Sequence, residues 1–416
     1  MSGRIKSRIN GRMNWRQTFT ALKYPNYRMW FWGQMVSLFG SWMQTTAQGF
    51  LIFELTHSPA YLGLVGFASG VPTWLFMLYA GVVADRISRR RLMIMTQTAM
   101  MALAFITAGL AFSHWIRPWH IIVLAFGFGA ANAFDAPARQ AMVQELVHSD
   151  DMTNAIALNS AMFNTSVALG PAVGGLTYAL FGPAWCFTIN GLSFIAVIAA
   201  LSAMKLKPLE GQARRGFILA DLKEGLHYVV THAMIRTLIS LVGVVSTFGM
   251  AFAILMPAWA VKILHGNATT NGFLQSARGI GALACALLIA SLGRFKFRGK
   301  LLTFGSFALP VLLIIFSFIR GPVFSFLFLI GIGFALILIF NMANASVQTL
   351  TPDALRGRVM SIYSLVFFGA MPIGALIVGW MATKIGEPAT LVIGASITMV
   401  YAGLLWIFFP KLRHLQ

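Results

Sequence analysis

The feature that most constrains this chain is a succession of long apolar runs, nearly free of charge, at 29–53, 60–83, 92–113, 118–138, 153–181 and 183–204. Six more follow at 234–262, 268–292, 301–319, 322–346, 359–383 and 388–409. A helix of about 20 apolar residues crosses a hydrocarbon core roughly 30 Å thick. Twelve such spans within 416 residues leave only connections and tails, so no folded soluble domain fits between them. Composition agrees: 58% of residues are hydrophobic and 10% charged, where a soluble domain carries about 25% charge.

The few charges are sorted. The net charge of +20 could belong to a nucleic-acid binder, a membrane-surface protein or a membrane protein with basic loops. With the N-terminus placed in the cytoplasm, 26 of the 31 Lys and Arg fall in the tails and loops of one side. That asymmetry predicts a multi-pass protein of the inner (plasma) membrane with both termini cytoplasmic. It excludes a nucleic-acid partner, because the charge is spent on topology. The first run is too long for a cleaved signal peptide and is interrupted by Gln34, Gln44 and Gln48, so it reads as a retained helix. Cys186 and Cys285 lie in different spans and suggest no disulfide framework.

The chain also reads as two halves. Residues 146–182 superpose on 350–386 at an offset of 204, aligning Gly170 with Gly374, Gly175 with Gly379 and Gly182 with Gly386. The expected organisation is a basic tail (1–28), a six-helix half (29–204), a polar linker (205–233), a second six-helix half (234–409) and a short tail (410–416). Paired repeats of this kind place a site at the interface between the halves.

Two motifs sharpen this. The loop after span two reads Gly81-Val-Val-Ala-Asp85-Arg86-Ile-Ser-Arg89-Arg90-Arg91, a carboxylate set among arginines at a helix end. Span five carries Gly170-Pro171-Ala-Val-Gly174-Gly175, in which proline permits a bend and the glycines permit close helix packing. In a chain of twelve spans and two halves, the loop resembles the cytoplasmic motif of the major facilitator superfamily. The span-five pattern resembles the antiporter motif of its exporters, with Ser166 where a further glycine is usual. Trp30-Phe-Trp-Gly-Gln34, Phe53-Glu-Leu-Thr-His-Ser58 and Phe134-Asp-Ala-Pro-Ala-Arg-Gln140 look like the efflux subgroup that includes the enterobactin exporter. Many proton-coupled members carry an arginine before the Gly127-Phe-Gly-Ala-Ala131 run of span four. Val123 occupies that place here, so coupling through that arginine is not available. The resemblance implies an all-α membrane fold of twelve helices in two pseudo-symmetric halves, working by alternating access.

Polar residues inside the spans mark candidate sites. Gln34, Ser37, Ser41, Gln44 and Gln48 share one face of span one, which must avoid lipid; interhelical hydrogen bonding and cavity lining both remain open. Asn132, Asp135 and Arg139 in span four have a counterpart in Asn341, Asn344 and Gln348 of span ten. Asp135 and Arg139 could form an intrahelical pair. The resemblance suggests instead a latch in which Asp85, Arg89 and Asp135 hold the cytoplasmic side closed and release on protonation. Arg278 lies well inside span eight, where it either snorkels or meets a carboxylate or an anionic substrate, with Glu54 a possible partner.

Other activities lose support. Gly293 to Leu301 only superficially resembles a phosphate loop, since its spacing is one residue long and Leu301 replaces the magnesium-binding hydroxyl. ATP is therefore not expected as a driver. No histidines form an i, i+4 metal pair, and neither metal, cofactor nor enzyme chemistry is expected. The expectation is proton-linked export of a small amphipathic or hydrophobic molecule, with the lipid bilayer as the surrounding partner. An importer, a lipid-flipping facilitator or a receptor without flux are the alternatives.

Overall fold

The computed structural model describes residues 19–204, 218–292 and 297–414. Among these there is no strand, and twelve long helical segments account for most of the chain. The first six are α1 (Pro25–Thr56), α2 (Pro59–Arg86), α3 (Arg89–Phe112), α4 (Pro118–Leu146), α5 (Met152–Phe181) and α6 (Pro183–Ala203). A linker helix, Ile218–Thr231, separates them from α7 (Ala233–Ile263), α8 (Ala268–Leu292), α9 (Arg298–Phe318), α10 (Pro322–Leu350), α11 (Asp353–Ile385) and α12 (Glu387–Phe408). Residues 1–18, 205–217, 293–296 and 415–416, with the basic tail and loop positions they contain, lie outside the described residues.

Local chemistry sets the boundaries. Proline opens α1, α2, α4, α6 and α10, where its fixed φ suits the first turn and its missing N–H goes unused. Nine of the twelve segments are long and apolar enough to cross a membrane. In α1 and α5, two of the remaining three, amides and hydroxyls interrupt the apolar sequence. Several helices outrun the apolar spans: α4 continues to Leu146 and α11 begins at Asp353. Backbone hydrogen bonding does not stop where the sequence becomes polar. The linker expected over 205–233 likewise contains a helix, held to the second half by an Arg358–Glu224 ion pair of 2.7 Å.

The two-fold repeat is written into the backbone. Gly182, between α5 and α6, has φ +88°, and Gly386, between α11 and α12, has φ +83°. A side chain resists that conformation, and the two glycines are separated by the same 204-residue offset that aligns the sequence halves. One apolar core forms within α7–α12 and another within α1–α6, while a third, drawn mostly from α1–α6, takes in Ala258 of α7 and Ala268 of α8.

The halves meet along two seams made of small residues. Along α5 and α8, a Cβ on Gly175 would lie 2.5 Å from the Ala268 carbonyl oxygen, and one on Gly279 would lie 2.6 Å from that of Val167. Along α2 and α11, a Cβ on Gly63 would lie 2.5 Å from the Ala375 carbonyl oxygen, and Gly70 faces the Pro372 ring. Hydrogen bonds reinforce both: Ala172 N donates to Ser276 Oγ at 2.9 Å, and Ala60 N to Thr383 Oγ1 at 3.0 Å. The molecule thus has a basic end, with Arg89, Arg298 and Arg358, and a far end, with Glu54, Lys262 and Glu387. The seams run from the far end toward the middle.

α7 departs from α-helical bonding. Val245–Met250 is a π turn, Ala251–Leu255 is 3₁₀, and Trp259–Ile263 is again π. Pro257 lies between them and cannot donate to the ladder.

Candidate functional site

Asp135 is the centre of a buried polar cluster near the basic end. It projects from α4 toward α3 and is 2% exposed. Its Oδ1 accepts from Thr96 Oγ1 at 2.9 Å and from Gln97 Nε2 at 3.0 Å, while Oδ2 lies 3.4 Å from Arg139 Nε, one turn along its own helix. Ser37 of α1 donates weakly to Gln97 Oε1 at 3.4 Å, so the cluster ties α1, α3 and α4. Thr96 and Gln97 were not singled out from sequence. The available signal was their position in an otherwise apolar span, one helical register from the basic loop.

Arg89 takes a different partner from the expected one. Its guanidinium meets Glu145 at 2.6 Å and donates to the Ala141 carbonyl at 3.1 Å, both on α4, and it makes no contact with Asp135. Glu145 is the carboxylate that an apolar reading of span four, ended at 138, could not include. Arg90 donates to the Ser202 carbonyl of α6 at 2.6 Å. Gly81, Asp85 and Arg86 fall in the last turns of α2, and their side chains lie outside the described residues. Of the three residues of the expected relay, Arg89 pairs with Glu145 and Asp135 with Arg139, and the Asp85 side chain lies outside the described residues.

Beside this cluster the chain entering α1 is tied down. Asp151 accepts from Tyr24 Oη at 2.7 Å and pairs with Lys23 at 2.7 Å, while Asn154 Oδ1 takes the Ala21 N–H at 2.8 Å. The hydrogen bond from the Lys23 ammonium, followed by that from Tyr24, holds the Asp151 carboxyl below the usual carboxylate range. The same bond raises the Lys23 ammonium above the usual lysine range.

The polar face of α1 divides between two roles. Gln44 is 4% exposed and accepts from Asn190 Nδ2 of α6 at 2.7 Å, and Ser37 is buried and faces α3; these two link helices within the first half. Gln34 is buried with its Oε1 unpartnered. Ser41 and Gln48 are partly exposed, and Thr45, absent from the expected set, is exposed. Gly49, one turn beyond Thr45, packs toward Pro257 of α7. Thus Thr45 shares the side of α1 that looks toward the second half. Asn132 and Asn341 are exposed on α4 and α10; Asn344 accepts from Gln348 Nε2 at 2.6 Å.

Each glycine of the glycine–proline motif has a contact that explains it. A Cβ on Gly170 would lie 2.7 Å from Trp42 Cβ, and one on Gly174 would lie 2.8 Å from the Met43 carbonyl oxygen, both on α1. Gly175 faces α8, and the Pro171 carbonyl faces Gly272. The motif is where α1, α5 and α8 converge.

At the far end Lys262 pairs with Glu387 at 2.9 Å and lies over the Phe53 ring at 5.6 Å, joining α7, α12 and α1. Glu54 accepts a hydrogen bond from the Tyr178 hydroxyl and is not a partner of Arg278.

Comparison with known proteins follows from this geometry. The sequence profile of a family described as transmembrane secretion effector matches residues 16–416. The chain is 27% identical over 388 residues to the multidrug efflux pump Tap of Mycolicibacterium fortuitum, covering 91% of this chain and 94% of the relative. It is 25% identical over 414 residues to the enterobactin exporter EntS of Escherichia coli K12, covering 97% of each. To the staphyloferrin A transporter of Staphylococcus aureus it is 25% identical, covering 87% of this chain and 92% of the relative. Among solved structures it is similar in fold to the nucleoside transporter NupG, with a TM-score of 0.71 at 17% identity, covering 93% of this chain and 99% of the other. A D-xylose–proton symporter gives a TM-score of 0.72 at 12% identity, covering 94% and 99%.

Proposed function

This chain belongs to the transmembrane secretion effector family of the major facilitator superfamily, and from that membership we propose a proton-coupled exporter of small amphipathic or hydrophobic compounds. It is a membrane transporter and not an enzyme. The reading places the basic end in the cytoplasm of the cell that makes it, by the positive-inside rule. The substrate site lies between the halves, and neither ATP nor a cofactor takes part.

The observation that carries the reading is the pairing of two small-residue seams at one end with a buried carboxylate cluster toward the other. Backbone-to-backbone glycine contacts separate and re-form without leaving large side chains unpacked, as a rocking pair of halves requires. Asp135 exchanges a proton as the cluster of Thr96, Gln97 and Arg139 loosens, which links gradient to motion. The efflux pumps and exporters among its relatives support the outward direction.

The test is reconstitution into liposomes holding a pH-sensitive dye, with an imposed proton gradient and candidate compounds supplied on the basic side. Substrate-dependent proton movement is the expected result. Compound movement that ignores the gradient would overturn the coupling, and binding without counterflow would overturn transport.

A further inference from the structure

Among the described residues, three acidic side chains set within or at the ends of the helices have partners, and an arginine deep in one helix does not. Asp135 has Arg139, Glu387 has Lys262 and Glu54 has Tyr178. Arg278, about 10 residues into α8 and so roughly 15 Å from its start, has no hydrogen-bond or ion-pair partner among the described residues. A lone guanidinium in a low-dielectric interior is costly unless it meets water or an anion.

The helix contacts say which way it faces. α8 turns Ala268, Gly272, Ser276 and Gly279 to α5, and Phe273, Ile280 and Leu287 are exposed on the side that suits lipid. At 100° per residue, Asn271, Gln275 and Arg278 share a third side, directed between the halves. Close backbone contacts hold this register, because a Cβ on Gly279 would lie 2.6 Å from the Val167 carbonyl oxygen and Gly333 of α10 faces the Arg278 backbone. Gln275 and Arg278 are partly exposed on that side. Across the seam, Ser160 and Asn164 occupy the corresponding side of α5, between its contacts to α1 and α8 and away from the lipid-exposed Leu169, Leu176 and Leu180. Asn164 Nδ2 is engaged by the Ser160 carbonyl at 2.8 Å.

We propose that Arg278 is the anion subsite of the transport cavity, and that the substrates it selects carry a carboxylate or a comparable oxyanion. This rests on the exporter reading and narrows its substrate class. The planar guanidinium offers two parallel N–H donors to a carboxylate. Gln275, one turn toward the far end, supplies amide donors to the same group, and the Asn164 carbonyl is placed for a neutral donor elsewhere on the molecule. When the halves rock, the anion stays bound to α8 and changes the side to which it is exposed.

The test uses three probes of one shape: radiolabelled 1-naphthylacetate, the neutral 1-naphthylacetamide and the cationic 1-naphthylethylamine. Their movement is measured in proteoliposomes containing wild-type protein, Arg278→Gln, Arg278→Lys or Arg278→Glu. Monodispersity and thermal melting establish that each variant is folded. The expected result is carriage of naphthylacetate by wild type, roughly 10- to 100-fold loss in Arg278→Gln, partial recovery in Arg278→Lys, and a gain of the cation in Arg278→Glu. Movement of the amide, which carries no charge, falls far less in Arg278→Gln than that of naphthylacetate. Equal loss of all three probes in folded Arg278→Gln would overturn the subsite, since it would mark a packing role. Wild-type carriage of amide and amine without acetate would also overturn it and leave the exporter reading standing. Movement of none of the three by wild type, together with no substrate-dependent proton flux, would overturn both.

Discussion

Gln97 of α3 donates to the carboxylate of Asp135 on α4 at 3.0 Å, and the same amide accepts from Ser37 on α1 at 3.4 Å. One side chain therefore bridges the Asp135 carboxylate and α1. Protonation of Asp135 would weaken its attraction for Arg139 and turn a carboxylate acceptor into a donor facing the Gln97 and Thr96 donors, which should loosen three helices together.

Asp135→Asn is expected to abolish coupling while keeping shape. Gradient-driven transport in proteoliposomes should fall at least about tenfold, with substrate counterflow at zero gradient largely preserved. Unchanged gradient-driven transport would remove Asp135 from the coupling path. Gln97→Leu, which strands one carboxylate hydrogen bond, should lower stability by about 1–3 kcal/mol, read as a reduced melting temperature.

Substitution at the seam should shift the conformational balance. Gly175→Val forces a side chain against the Ala268 carbonyl, 2.5 Å from where its Cβ would stand. Overpacking of this kind costs about 1–3 kcal/mol, so closure at the far end should weaken by roughly 5- to 150-fold. Labelling of a Thr45→Cys reporter by an impermeant maleimide from the far side should rise accordingly. The native Cys186 and Cys285 are buried and do not compete. No increase in labelling would mean that this seam does not gate access.

The far-end ion pair allows a double-mutant test. Glu387 is 4% exposed and bonded to Lys262, whose own side chain is 40% exposed. Lys262→Met should destabilise by about 1–3 kcal/mol, less than a fully buried pair because solvent reaches the lysine. Lys262→Met combined with Glu387→Leu should recover most of that loss. Equal melting temperatures of the single and double variants would disprove the pairing.

The Lys23–Asp151 contact predicts a pH window. The Asp151 carboxyl lies below its usual value, so its contribution is present above about 4 and is lost as pH falls through the lower folded value. Lys23 lies above its usual value, so its contribution is present below about 10.4 and is lost as pH rises through the folded value. Amide exchange at Leu22 and Tyr24, divided by its intrinsic rate at each pH, should be flat between those limits and should accelerate in strong acid. Asp151→Asn should accelerate it at neutral pH too.

Much of this architecture was legible before any coordinate, for reasons that can be named. Apolar length located the spans, and the 204-residue offset of Gly182 and Gly386 anticipated two equivalent turns. Gly170 through Gly175 could be recognised because only small residues tolerate backbone contact. Partner choice was less legible. The face of α1 is visible by periodicity, but periodicity is silent on what lies opposite, so it cannot separate Gln44 and Ser37, which bond to α6 and α3, from Ser41. Arg89 was matched with Asp135 although Glu145 was closer, because the charged end of α4 does not resemble a membrane span. Thr96 and Gln97 were passed over for the same reason that makes them effective: a neutral side chain beside a buried carboxylate carries no signal of its own.

The mixed winding of α7 has a mechanical consequence. A π turn holds more than 3.6 residues and a 3₁₀ turn fewer, so a rod containing both can exchange length between them without breaking. Among the described long helices, this mixture of π and 3₁₀ winding falls in one helix of the second half, between Val245 and Ile263. A load applied at Lys262 by the moving first half would be absorbed as a change of pitch before it reached the base of that helix.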